Sequence, residues 1–195
     1  RFPYYFYDYQ IKANLDIDQD HRLTFTRFYG DDVLDFSYED PSETVSNENV
    51  TIQQDSKFGL DWPWGNQTNG LTWRWIVSPK MITKTFLSNS RYRFDFDLFF
   101  QNRDLYTYSD STAINFINFN WNIYDIIKDR TLETEIQYKY SNDHEITGGF
   151  QIKKIRFDLG IQYDLETQDT SFTWNPLSLK NNTQEISFFL QDRWE

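Results

Sequence analysis

Cysteine is absent from the sequence, which excludes disulfides and thiolate metal sites. Histidine is almost absent: only His21 and His144 occur, both in polar turns, so a histidine triad or multi-histidine metal site is hard to assemble. Both read as solvated turn residues. No apolar run approaches the ~18 residues of a transmembrane helix, so any membrane role falls to strands. The first residues, Arg1-Phe2-Pro3-Tyr4-Tyr5, lack the basic-then-apolar pattern of a signal peptide. An excess of cations is lacking too. The net charge of −11 disfavours nucleic acid, whose phosphates demand a basic stripe. Acidic density at Asp31-Asp32, Glu39-Asp40 and residues 164–169 reads as solvated loops.

Neither a Gly-rich phosphate loop nor an EF-hand series occurs, and no cofactor is implied. Asp95/Asp97 and Glu133/Glu135 are carboxylate pairs, but i, i+2 spacing on a strand puts both members on one polar face. They read as the lining of a lumen, and no catalytic residue emerges. Asn-x-Thr triplets at Asn49, Asn66 and Asn181 matter only in a eukaryotic secretory setting.

Aromatic residues are what the sequence does have: 19% of it, 18 Phe, 13 Tyr and 7 Trp. The mean hydropathy is nevertheless −0.74, so the rings are interleaved with polar residues. Such alternation writes a sheet with one greasy and one wet face. From Tyr7 to Ile17, Tyr, Ile, Ala and Leu alternate with Asp, Gln, Lys and Asn for eleven residues, the length of a tilted strand crossing a bilayer. In the hairpin around Ser78-Pro79-Lys80, one strand aligns Leu71, Trp73, Trp75 and Val77. The other aligns Ile82, Phe86, Tyr92, Phe94, Phe96 and Leu98, interrupted by Ser88 and Ser90.

The pattern predicts an all-β, antiparallel up-and-down meander of about seven principal strands. They are placed at about 4–17, 22–36, 67–77, 81–100, 128–140, 144–158 and 184–195. Long connections are expected at 31–65, which holds Pro41 and Pro63, at 101–128 and at 161–182. Short turns near Asp20, Pro79 and Asn142 lie 59 and 63 residues apart. Short turns alternating with long loops are the plan of an outer-membrane barrel, with the short turns on the periplasmic side. Single-chain bacterial barrels have an even strand number, so seven strands predict part of a transmembrane barrel, not closed.

Pro3-Tyr4-Tyr5-Phe6-Tyr7-Asp8-Tyr9-Gln10, Phe28-Tyr29-Gly30-Asp31-Asp32, and Trp64-Gly65-Asn66 leading to Leu71-Thr72-Trp73-Arg74-Trp75 and Ser78-Pro79-Lys80 resemble the barrel of TonB-dependent outer-membrane receptors. His144-Glu145-Ile146-Thr147-Gly148-Gly149-Phe150 and Phe188-Phe189-Leu190-Gln191-Asp192-Arg193-Trp194 are similar to barrel strands of the same family. The resemblance implies a 22-stranded barrel filled by a plug domain, importing a scarce small-molecule nutrient across the outer membrane of a Gram-negative bacterium. Its implied partners are outer-membrane lipid, its own plug domain and a TonB-type energy-coupling protein. Residues 1–195 are expected to be a partial barrel domain, without plug, TonB box or closing strand, and not an enzyme.

Aromatic residues near the loops have two readings. Tyr4, Tyr5, Tyr7 and Tyr92 are assigned to the membrane-interface girdle, where amphipathic rings sit at headgroup depth. Trp62, Trp64, Tyr106, Tyr108 and Trp174 are assigned to extracellular loops as contacts for a siderophore-like or carbohydrate ligand. Two other architectures stay open: a soluble or surface β-sandwich or jelly roll that binds carbohydrate, and a non-TonB outer-membrane porin or assembly barrel.

Overall fold

The computed structural model describes residues 3–40 and 42–194; Arg1, Phe2, Pro41 and Glu195 lie outside the described residues. The strands are β1 (Tyr4–Asp16), β2 (His21–Glu39), β3 (Glu43–Ser46), β4 (Val50–Ser78), β5 (Met81–Tyr108), β6 (Thr112–Lys139), β7 (His144–Thr167) and β8 (Ser171–Trp194). Among the described residues there is no helix. All eight strands form one antiparallel sheet in the order β1-β2-β4-β5-β6-β7-β8, with β3 paired to β4. The meander is open, as in part of a β-barrel. A sandwich would need a second, facing sheet, and the described residues form only one.

The seven principal strands are present, but the three long connections are not loops. Residues 31–65 complete β2, form β3 and begin β4; residues 101–128 finish β5 and start β6; residues 161–182 end β7 and begin β8. Each fold-back at that end takes only a few residues. Pro63, in a region whose composition predicts a loop, lies inside β4, where the β4–β5 ladder skips Trp62 and Pro63. Proline has no N–H to donate, so the ladder breaks there without ending the strand. In β8 the register shifts between the partners of Ile161 and Tyr163, and the residues left over include Pro176.

Asp20, Pro79 and Asn142 lie in the three tight turns at one end of the sheet. Along the transverse row His21–Trp75–Thr83–Ile136–Gly148, the distance to the start of the strand grows from nothing at His21 to two residues at Thr83 and four at Gly148. This is one residue of stagger per strand. A rise of about 3.3 Å against a separation of about 4.8 Å tilts the strands by roughly 35°, the tilt of a closed barrel.

No apolar residue is buried among the described residues. The ladders hold the sheet together, and both of its faces are available. Asp31, only 7% exposed, is one of two buried polar side chains among the described residues. Its carboxylate accepts hydrogen bonds from Tyr7 (3.1 Å) and Tyr29 (2.5 Å) and pairs with Arg93 at 3.3 Å. Gly65 makes room for it, because a Cβ there would strike the Asp31 carboxylate and the Gly30 carbonyl. Gly65→Val is therefore expected to cost about 2–3 kcal/mol, the loss of hydrogen bonds to a charged group, read as a lower unfolding midpoint in detergent.

Candidate functional site

Directly paired residues share a face, so the register sorts every side chain onto one of two surfaces. One face carries the row Ala13–Phe25–Leu71–Leu87–Leu132–Ile152–Ile186, each member opposite the next. The next row toward the turns reads Leu15–Leu23–Trp73–Thr85–Thr134–Phe150–Phe188. We call this the band face. Leu71, Trp73, Trp75 and Val77 are 37–39% exposed on it, while Thr72, Arg74, Ile76 and Ser78 behind them are half-buried.

At the same level the opposite face is polar and internally paired. Arg22 meets Asp16, Lys84 meets Glu135 at 3.4 Å and Lys153 meets Asp129 at 3.6 Å, each across a strand boundary. Beyond this level the polarity inverts. The band face becomes rich in Asp, Asn and Gln, and the opposite face becomes aromatic.

That aromatic surface is the candidate site. Tyr4 stacks on Trp64 (6.1 Å), Trp64 neighbours Trp62 (5.5 Å), and Trp62 meets Phe94 and Phe96 edge-on at 5.9 and 5.6 Å. Phe96 meets Trp121 (5.4 Å), Trp121 stacks on Tyr163 (5.8 Å), and Tyr163 stacks on Trp174 (5.5 Å). The rings form a rail crossing every principal strand except β2. Trp62 Nε1 and Trp121 Nε1 are buried without an acceptor, so the rail holds two orphan donors.

The five residues assigned to ligand contact all belong to this aromatic face, though in strands and not in loops. The rail unites Trp62, Trp64 and Trp174. Tyr106 and Tyr108 stand apart near the far end of β5, opposite Ile52 and Val50. The β8 register shift is what places Trp174 beside Tyr163. Sequence reasoning misses Trp121 and Tyr163 as members; the every-second-residue series Phe119, Trp121, Ile123 and Ile161, Tyr163, Leu165 are the available signal. Of the residues assigned to the girdle, Tyr5 and Tyr7 lie on the band face, while Tyr4 and Tyr92 lie on the aromatic face.

Behind the rail, the band face carries a shallow groove of about 790 Å³ that includes Asp61, Asp97, Asn120 and Asp164. Burial raises the Asp97 carboxyl above the usual range, against the opposing hydrogen bond from Asn122. Asp61 is raised by burial and then by Asp35, Asp97 and Asp95. A carboxyl whose pKa is raised by folding binds its proton more readily in the folded state, so stability from this pair grows as pH falls from neutral toward the carboxylate range. Asp97→Asn is expected to raise the unfolding temperature at neutral pH and to flatten that dependence. Among the described residues no group of three or more His, Asp or Glu could hold a metal ion.

An open antiparallel meander with barrel stagger and an exposed apolar band defines the class of the fold: part of a β-barrel. No family model matches the chain, and no curated protein matches it. Among solved structures, it is similar to the ferric-catecholate import receptor Fiu from E. coli K12, with a TM-score of 0.28, 6% identity, and 94% of this chain and 49% of that one covered. It is also similar to the ferric yersiniabactin uptake receptor FyuA from Yersinia pestis (0.28, 7%, 96% and 42%). A third is the ferric preacinetobactin receptor BauA from Acinetobacter baumannii (0.18, 8%, 96% and 44%). The chain spans less than half the length of these receptors, and at such TM-scores the likeness decides neither fold nor function.

Proposed function

We infer that the chain is a segment of an outer-membrane receptor barrel of the TonB-dependent type, which takes up a small nutrient and catalyses no reaction. The observation that carries this reading is the exposed apolar band. From the turn ends at Met81, Lys139 and His144, it runs nine or ten residues to the first cations, Arg91, Arg130 and Lys154. At the tilt derived above, nine residues rise roughly 24 Å, against about 25 Å for the apolar band of an outer-membrane barrel. The paired polar face behind the band then lines the lumen, and the turns at Asp20, Pro79 and Asn142 are periplasmic.

β4, β5 and β6, of 29, 28 and 28 residues, greatly exceed the 9–11 needed to cross. Their excess stands outside the cell and turns the aromatic rail toward the mouth of the barrel. Flat rings with two orphan donors suit a ligand with planar faces and acceptor oxygens, siderophore-like or carbohydrate. A plug domain and an energy-coupling protein are the partners this reading requires.

The test is fractionation of cells making the full-length polypeptide that contains this chain. The polypeptide is expected in the outer membrane, resisting alkaline extraction and needing detergent for solubility. Recovery as a soluble monomer in aqueous buffer would sink the reading.

A further inference from the structure

Charge is sorted by sign on the aromatic face. Beyond Lys153 this face carries no lysine or arginine among the described residues; Arg91, Arg93, Lys128, Arg156 and Lys180, at comparable levels, all stand on the band face. What remains is acidic. Asp32 accepts a hydrogen bond from Tyr4, Asp104 accepts one from Gln54, and Asp129 pairs with Lys153. Asp8 stands exposed on the edge strand β1. Asp125 differs from all of these: it is half-buried, yet among the described residues it enters no hydrogen bond and no ion pair.

This lone carboxylate is set among rings. Asp125 lies directly opposite Phe94 on β5 and Leu159 on β7, which puts Tyr92, Phe96 and Phe157 on its diagonals. Directly opposed residues have Cβ atoms about 5 Å apart and diagonal ones roughly 7–8 Å, so a cation seated on Asp125 has four rings within side-chain reach. Ring faces attract a cation within about 6 Å of their centres. The next two rows outward, which include Phe96, Ile123 and Ile161 and then Leu98, Trp121 and Tyr163, carry no charged side chain among the described residues. A half-buried anion among hydrocarbon loses hydration with nothing to compensate it. The missing partner is a cation with an apolar body.

We propose that Asp125, with Tyr92, Phe94, Phe96 and Phe157 around it, binds the cationic nitrogen of the ligand, which makes that ligand a protonated or quaternary amine on a planar or ring-bearing body. The carboxylate supplies the counter-charge, the ring faces take the alkyl groups around the nitrogen, and the body lies on the uncharged rows beside the rail. Anionic ligands are disfavoured, because no cation on this face answers them. The proposal rests on the ligand surface read above and narrows what that surface takes.

The full-length polypeptide that contains this chain, purified in dodecyl maltoside, is titrated with benzyltrimethylammonium, benzyl alcohol and benzenesulfonate, and binding is read by tryptophan fluorescence and calorimetry. The cation is expected to bind on the order of tenfold more tightly than the neutral alcohol, and the sulfonate more weakly than either. Asp125→Asn is expected to erase that preference, Asp125→Glu to retain most of it, and Asp164→Asn on the band face to leave it unchanged. Equal affinity for cation and alcohol in the wild type, no binding of the cation, or a preference that survives Asp125→Asn overturns the proposal. The first two results are read on the wild type, so they decide even where Asp125→Asn does not fold. A polypeptide that fractionates with the outer membrane yet shows no preference for the cation keeps the receptor reading and loses this one. A soluble polypeptide that prefers the cation through Asp125 does the opposite.

Discussion

Phe150→Arg is expected to cost about 2–4 kcal/mol and to abolish stable insertion, whereas Gln151→Arg, one residue on, is expected to be close to neutral. The two positions are neighbours in β7 and point to opposite faces. Phe150 sits midway along the apolar band, opposite Thr134 and Phe188, so an arginine there places a guanidinium in the middle of that band, which the proposed function sets in hydrocarbon. Gln151 lies on the paired polar face, where its Nε2 already donates to Glu133 at 2.7 Å. An arginine can take over that partner as a salt bridge. The measurement is urea unfolding of each variant in lipid vesicles, together with its yield in the membrane fraction. Equal effects at the two positions would refute the assignment of the faces.

Trp121→Ala is the second large effect, expected at about 3 kcal/mol with loss of ligand binding at the rail. Among the described residues the indole is the only bridge between Phe96 and Tyr163. Each ring pair contributes about 0.5–1.5 kcal/mol beyond area burial, and the truncation adds the loss of the half-buried surface. Trp121→Phe keeps a ring but removes the orphan donor, so it is expected to recover most of the stability and only part of the binding. Unfolding midpoints and tryptophan fluorescence quenching by the added ligand separate the two contributions.

The alternation in the sequence was enough to read strands, their antiparallel order and the three tight turns, because period two is local and needs no knowledge of neighbours. What a face looks at is not local. Leu71, Trp73 and Trp75 form one series and Phe94 and Phe96 another, but only the β4–β5 pairing, which sets odd positions opposite odd, shows that the second series lies on the reverse side. Ser88 and Ser90 record the change, since they continue the polar series before the aromatic one begins.

The far halves of the strands read as loops in the sequence because Asp, Asn, Ser and Pro there resemble turn chemistry. In the structure they form the water-facing side of strands whose other side is aromatic. From the sequence, Trp174 reads as a loop aromatic suited to ligand contact. Its contact with Tyr163 depends on a register shift near Pro176 that no alternation pattern announces.

The gap in the ladder at Trp62 and Pro63 and the shift near Pro176 have a mechanical side. Gly160, under the Tyr124 ring, lies on the line between them, one row removed from the shift. Cross-ties are missing at both ends of this line, and it crosses the sheet six residues beyond Lys154. Bending load therefore concentrates there. The far part of the sheet can rock like a hinged flap, altering the spacing between Trp62 and Trp174 while the rows of the apolar band stay still.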